Sequence, residues 1–234
     1  VSALRRGRPT ANANWGNAPS VLVGDFIYSR AFQVLVGIGD MEILRLMSDT
    51  TNIIAEGEVE QLARAGDPDA TEAQYTQIIG KKTAVLFAAA AEGAALLAGA
   101  APGTRAAMRD YGMNLGLAFQ LIDDVLDYTG DPQAMGKNLG DDLAEGKPTL
   151  PLIHAIAHAA PAAAAAVRQA ILGRDRDALA DVLTTVQSCG ALDYTHRRAV
   201  HHRDLALAAL NNVADSAFRQ NLETIARMAV DRAS

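Results

Sequence analysis

The chain has 234 residues, half of them hydrophobic, with 8 prolines, one cysteine and a formal net charge of −6. That is apolar material for one sizeable core, read as a single domain over residues 1–234. The acidic balance speaks against a nucleic-acid partner, which presents a basic face; the lone Cys189 excludes an internal disulfide and fits the cytoplasm.

Residues 5–20 are rich in Gly, Asn and Pro and read as a loop. Within it, Arg5-Arg6-Gly7-Arg8-Pro9-Thr10 reads two ways: guanidinium forks offered to phosphate oxygens, or a basic loop in solvent. From Val21 the apolar spacing is helical. It predicts helices near 19–38, 40–64, 71–99, 103–129, 148–158, 161–171, 175–186, 189–211 and 214–231. Gly66-Asp67-Pro68-Asp69 breaks one helix, Thr71 starts the next, and Pro102-Gly103-Thr104 separates a further pair. Alanine runs such as Ala88–Ala91 and Ala162–Ala166 favour helix over strand, so the predicted class is all-α, without a sheet.

Lys81-Lys82-Thr83 opens an apolar run, either as point charges beside a hydroxyl or as lysines snorkelling from a helix start. The run itself, 84–101, is shorter than the roughly 20 residues of a membrane span and carries Glu92 in its middle. It is read as a buried helix, and no transmembrane segment is expected.

Phe119-Gln120-Leu121-Ile122-Asp123-Asp124-Val125-Leu126-Asp127 is the most informative stretch. On a helix Asp123 and Asp127 stand one turn apart on one face, with Asp124 beside them and Gln120 one turn earlier. Three carboxylates near a helix C-terminus repel one another and oppose the dipole. A solvated acidic helix end is one reading. A hard cation such as Mg²⁺, which keeps waters and takes one or two carboxylates plus substrate phosphates, is the other. Next comes a long interior loop bracketed by Lys137 and Lys147, whose glycines permit close backbone approach to a ligand and lid-like closure. The histidines His154, His158, His196, His201 and His202 form no metal-like set, and His201-His202 reads as a surface pair.

Taken in order, Arg5 to Thr10, Gly24-Asp25-Phe26, Ala55-Glu56-Gly57-Glu58, Lys82-Thr83-Ala84, Phe119 to Asp127 and Gly136-Lys137 through Pro151 resemble the trans-polyprenyl diphosphate synthases, most closely their octaprenyl branch. The resemblance implies an isoprenoid synthase-type bundle of helices around a deep central cavity, assembled as a homodimer. It also implies Mg²⁺-dependent condensation of isopentenyl diphosphate with an allylic diphosphate. The product would be a long all-trans polyprenyl diphosphate of octaprenyl type, as used for quinone side chains, released through transient membrane contact.

By the same resemblance Asp123 is the main ligand of the third Mg²⁺, Asp124 and Asp127 support the metal shell, and Gln120 lies beside it. Arg5 would bind the allylic diphosphate and Arg6 isopentenyl diphosphate. Lys82, Lys137 and Lys147 would hold the allylic diphosphate, with Thr83 near the forming cation and Glu58 and Gln61 lining the cavity. Family members carry a first aspartate-rich motif before the paired arginines. Since the sequence starts after that place, the expectation is an N-terminally incomplete copy, inactive alone. The competing expectations are a non-catalytic partner subunit of a heteromeric synthase and a terpene cyclase, which lacks this lysine loop.

Overall fold

The computed structural model describes residues 4–5 (backbone alone), 7–129 and 140–231. The contacts expected of Arg6, of Lys137 and of the Arg5 side chain lie outside the described residues. Strands β1 (Leu4–Arg5) and β2 (Arg8–Pro9) pair antiparallel, Leu4 opposite Pro9. Gly7, at φ +71°, closes the tight turn between them, a conformation open to glycine at little cost. So a two-residue ladder appears where no sheet was expected, and all else described is helix or connection.

Helix α1 (Ala11–Trp15) starts where Thr10 Oγ1 accepts from the Ala13 N–H, and α2 spans Asn17–Ile38. Asp40 caps α3 (Met41–Arg64) through the N–H groups of Glu42 and Ile43. A reciprocal pair, Thr71 with Gln74, caps α4 (Glu72–Ile79). The single helix predicted over 71–99 is divided: a π turn, Gly80–Ala84, stands between α4 and α5 (Val85–Leu97). There follow α6 (Pro102–Thr129), α7 (Asp141–Ala144), α8 (Leu150–His158), α9 (Pro161–Gly173) and α10 (Leu179–Ser188). The last are α11 (Ala191–Ala209), a 3₁₀ turn (Leu210–Asn212) and α12 (Ala217–Asp231).

Helix α6 is the axis of the bundle, gripped chiefly by α5 and α11. Its apolar positions Leu117, Leu121 and Ile122 bury against Tyr75, Ile79, Ala84, Leu150 and Ala199. One turn on, Tyr128 enters a second cluster with Leu143, Leu152, Val167, Ile171 and Val186. Thus the helix that bears the acidic motif is held by packing on the sides away from it, and the repulsion among its carboxylates is carried by the core.

Helix α2 differs. It contributes no buried side chain, and Phe26, Leu22, Ile27 and Val36 all stand more than half exposed. It is also the one described helix long and apolar enough to cross a membrane, by length and composition alone. The stretch that the sequence put to that test, 84–101, instead ends at Leu97 and buries Ala88, Ala89, Gly93 and Ala95.

His202 corrects the reading of a surface histidine pair: its Nδ1 lies 3.0 Å from Asn114 Oδ1 of α6, and the ring is half-buried. Burial, with Arg198 and His201 adding, pulls it down to about 4. An unfolded chain takes up this proton near pH 6.5 and the folded one only near 4, so its contribution is complete above about 6.5 and is lost as pH falls through that window. With solvent screening allowed for, the loss is roughly 1–2 kcal/mol. Urea unfolding of the wild type and of His202→Gln at pH 7 and 4.5 checks it: the variant should lose less on acidification.

Candidate active site

Three segments meet at the acidic face of α6. The first is the π turn. Its extra residue turns neighbouring lysines to different partners: Lys81 pairs with Glu60 and, at 3.7 Å, with Glu56, whereas Lys82 meets Glu58 at 3.2 Å and donates to Gln61 Oε1 at 3.1 Å. The expected cavity-facing pair on α3 is therefore joined to Lys82. This contact is close at the backbone too. A Cβ on Gly57 would stand 2.8 Å from the Lys82 nitrogen, so only glycine lets α3 and the π turn lie together. Such π turns occur frequently at functional sites.

The second segment is α4 with α6. Thr83 Oγ1 donates to Gln120 Oε1 at 3.0 Å, and Gln120 Nε2 donates to Asp124 Oδ1 at 2.9 Å. The other oxygen of Asp124 accepts from Tyr75 Oη at 2.6 Å. Burial, then the neighbouring Asp142, raise the Asp124 carboxyl well above the ordinary carboxylate range; the bonds from Tyr75 and Gln120 oppose them, and Asp123 adds to the rise. Burial and the Asp124 charge hold the Tyr75 phenol well above its usual value.

The third segment is the second half of the interior loop, which is anchored rather than loose. Asp127 is completely buried, and its Oδ2 accepts from the Asp142 N–H at 3.2 Å while its carbonyl accepts from the Gly140 N–H at 3.1 Å. Gly140 is left-handed and abuts Leu179, and α7 follows directly. Lys147 reaches back to Asp142 Oδ1 at 3.1 Å and to Glu145. Burial favours its neutral form, but Asp142 and Glu145 outweigh that and raise its pKa. One cation is thereby held next to the carboxylates of α6.

Of the residues expected at the site, Lys82, Thr83, Gln120, Asp123, Asp124, Asp127 and Lys147 come together here. Their roles divide by burial. Asp124 and Asp127 are buried, the first accepting from Tyr75 and Gln120 and the second from the Asp142 N–H, whereas Asp123 is half-buried on the same face. Among the described residues no group of three or more His, Cys, Asp or Glu closes a metal centre by itself. The donor set still fits Mg²⁺, an oxygen-seeking ion that takes one or two carboxylates and completes its shell with water and phosphate. Tyr75 was missed in the sequence. A lone tyrosine on a half-apolar helix reads as core, and the only hint is that a buried phenol needs a partner. A groove of about 460 Å³ between α3 and α4, lined by Glu60, Ala63, Arg64, Gln74, Gln77 and Ile78, holds none of the expected residues.

Comparison with known proteins places the chain in a family. The family description "Polyprenyl synthetase" matches residues 1–188. Octaprenyl diphosphate synthase of Escherichia coli is 51% identical over 232 residues, 99% of this chain and 72% of that protein. The all-trans-nonaprenyl-diphosphate synthase (geranyl-diphosphate specific) of Rhodobacter capsulatus is 49% identical over 231 residues, 99% of this chain and 71% of that one. Among solved structures, the polyprenyl synthase of Caulobacter crescentus complexed with calcium and isoprenyl diphosphate superposes with a TM-score of 0.96 at 45% identity, covering 100% of this chain and 72% of that one. With the acidic face, the lysines beside it and these matches in hand, the chain belongs to the polyprenyl synthetase family.

Proposed function

We propose that this chain is a Mg²⁺-dependent trans-prenyltransferase that condenses isopentenyl diphosphate with an allylic diphosphate to build a long all-trans polyprenyl diphosphate of octaprenyl type. The observation that carries the reading is the convergence of Thr83, Gln120 and Asp124 in one hydrogen-bonded series beside Asp123, with Lys82 and Lys147 at its flanks. The octaprenyl and nonaprenyl relatives, at 51% and 49% identity, support a long-chain product.

The reaction breaks the bond between an allylic C1 and its diphosphate oxygen. The isopentenyl double bond then attacks that carbon, and a proton is lost to restore an alkene. Lys82 and Lys147 stabilise the charge that grows on the departing diphosphate, a type of electrostatic assistance that dominates many enzymatic rate accelerations. Lys137 and the Arg5-Arg6 pair are assigned to the same diphosphates. Thr83 commits its proton to Gln120 and so presents oxygen lone pairs to a developing cation. The released diphosphate accepts the proton, and no histidine base is required. Asp123, with Asp124 and Asp127 behind it, would hold Mg²⁺, which would supply Lewis-acid neutralisation of the leaving diphosphate.

The experiment is elongation by the full-length protein from an allylic diphosphate and radiolabelled isopentenyl diphosphate, with Mg²⁺ and with excess EDTA. The expected result is an octaprenyl chain formed only with the metal. No elongation, or elongation indifferent to EDTA, defeats the reading. We assign the enzyme to the cytoplasm on its lone cysteine, and we read it as a homodimer, since an apolar surface as long as that of α2 marks an interaction face. A monomeric mass by light scattering would sink the dimer.

A further inference from the structure

We propose that Tyr75 is a positioning residue for this reaction: from the buried side of the site it fixes the Asp124 carboxylate, and through it the polarity of the Asp124–Gln120–Thr83 series. The proposal rests on the prenyltransferase reading above.

The geometry is directional at each step. Tyr75 Oη donates to Asp124 Oδ2 at 2.6 Å, which holds one carboxylate oxygen. Gln120 donates to the other, at 2.9 Å, and this turns the Gln120 carbonyl toward Thr83. Thr83 must then donate to Gln120, at 3.0 Å, and face the site with its lone pairs. Without Tyr75, Asp124 loses one of the two partners that set its plane, and the Gln120 amide loses its reason to keep one orientation.

Tyr75 is itself rigidly mounted. It lies at 6% exposure in the cluster with Ile79, Ala84, Leu121 and Ile122. One turn earlier, Glu72 accepts from Tyr194 Oη at 2.7 Å and pairs with Arg198 at 3.0 Å, which ties α4 to α11. The Thr71–Gln74 box fixes the start of the same helix. So α4 is a strut running from α11 to the acidic face, and the π turn that bears Lys82 and Thr83 continues from it.

The test is Tyr75→Phe in the full-length protein, beside Tyr111→Phe. Tyr111 is another buried tyrosine, whose Oη donates to the Leu222 carbonyl at 2.8 Å in a part-buried bond, and it serves as the control for losing one phenol bond. Both variants should show a similar small fall in melting temperature. Only Tyr75→Phe should lower kcat, by about 10–100-fold with KM for both diphosphates within about twofold, the range typical when a residue behind a ligand is removed. It should also weaken Mn²⁺ binding in the presence of inorganic diphosphate several-fold, read by electron paramagnetic resonance. Tyr75→Phe matching Tyr111→Phe in kcat, KM and Mn²⁺ affinity overturns the proposal. If Tyr75→Phe does not fold, replacement of Tyr75 by 3-fluorotyrosine keeps the shape and strengthens the donor; kcat and Mn²⁺ affinity identical to wild type then overturn it. Should the wild type make no polyprenyl product, the functional reading fails on its own, and the Mn²⁺ titration still decides the role of Tyr75.

Discussion

Asp123→Ala lowers kcat by about 30- to 1,000-fold, on the order of 2–4 kcal/mol of transition-state stabilisation, while folding stability stays within about 1 kcal/mol of wild type. The asymmetry follows from where the carboxylate sits. Asp123 is half-buried, and its charge adds to the crowding that raises Asp124. Removing it relieves like-charge repulsion, so metal-free protein should melt at or slightly above the wild-type temperature. With Mg²⁺ and substrate the same change removes the accessible oxygen donor that faces the diphosphate. Asp127→Ala, four residues along, should behave differently. It strips the acceptor from the half-buried Asp142 N–H and loosens the loop that carries Lys147. A stability cost of about 1–3 kcal/mol accompanies its activity loss. Elongation kinetics and thermal melts with and without Mg²⁺ separate the two. Asp123→Ala with near-wild-type turnover, or failing only because it unfolds, would make the acidic face structural.

The difference between those two aspartates shows what the sequence could and could not disclose. Helical periodicity located α2, α3, α6, α8 and α9 to within a few residues, because their apolar stripes are long and their ends carry Asp40, Pro102, Pro161 or glycine. The order of motifs disclosed the family. Periodicity could not show the π turn, since one added residue within a continuous helical run leaves composition unchanged and shifts the phase only locally. Nor could it show that Asp124 and Asp127 are buried and bonded within the protein, because those bonds come from Tyr75, 49 residues before Asp124, and from the Asp142 backbone. The His202 contact with α6 was hidden for the same reason: its partner, Asn114, is 88 residues away in sequence.

Gly116→Ala should destabilise the protein and depress its activity together, and Gly93→Ala should do neither. Both glycines are buried in helices, so on propensity alone each replacement gains up to about 1 kcal/mol. At Gly93 the new methyl meets Leu46 Cδ2 at 3.6 Å and Ile43 Cδ1 at 3.7 Å, ordinary contacts that keep the gain. At Gly116 it would stand 2.5 Å from Ala84 Cα and 2.9 Å from Ala84 Cβ. Ala84 is fully buried at the end of the π turn, so backbone has to move rather than a flexible side chain. Overpacking of that kind costs about 1–3 kcal/mol, more than the propensity gain. The displacement also acts on the residue before it, drawing Thr83 away from Gln120 across a bond of 3.0 Å and carrying Lys82 with it. A change of about an ångström in a positioned group can cost on the order of a hundredfold in rate. Thermal melts and kcat of the two variants, measured side by side, decide the point. If Gly116→Ala melts and turns over like Gly93→Ala, then the close approach of α6 to the π turn neither stabilises the bundle nor sets the site.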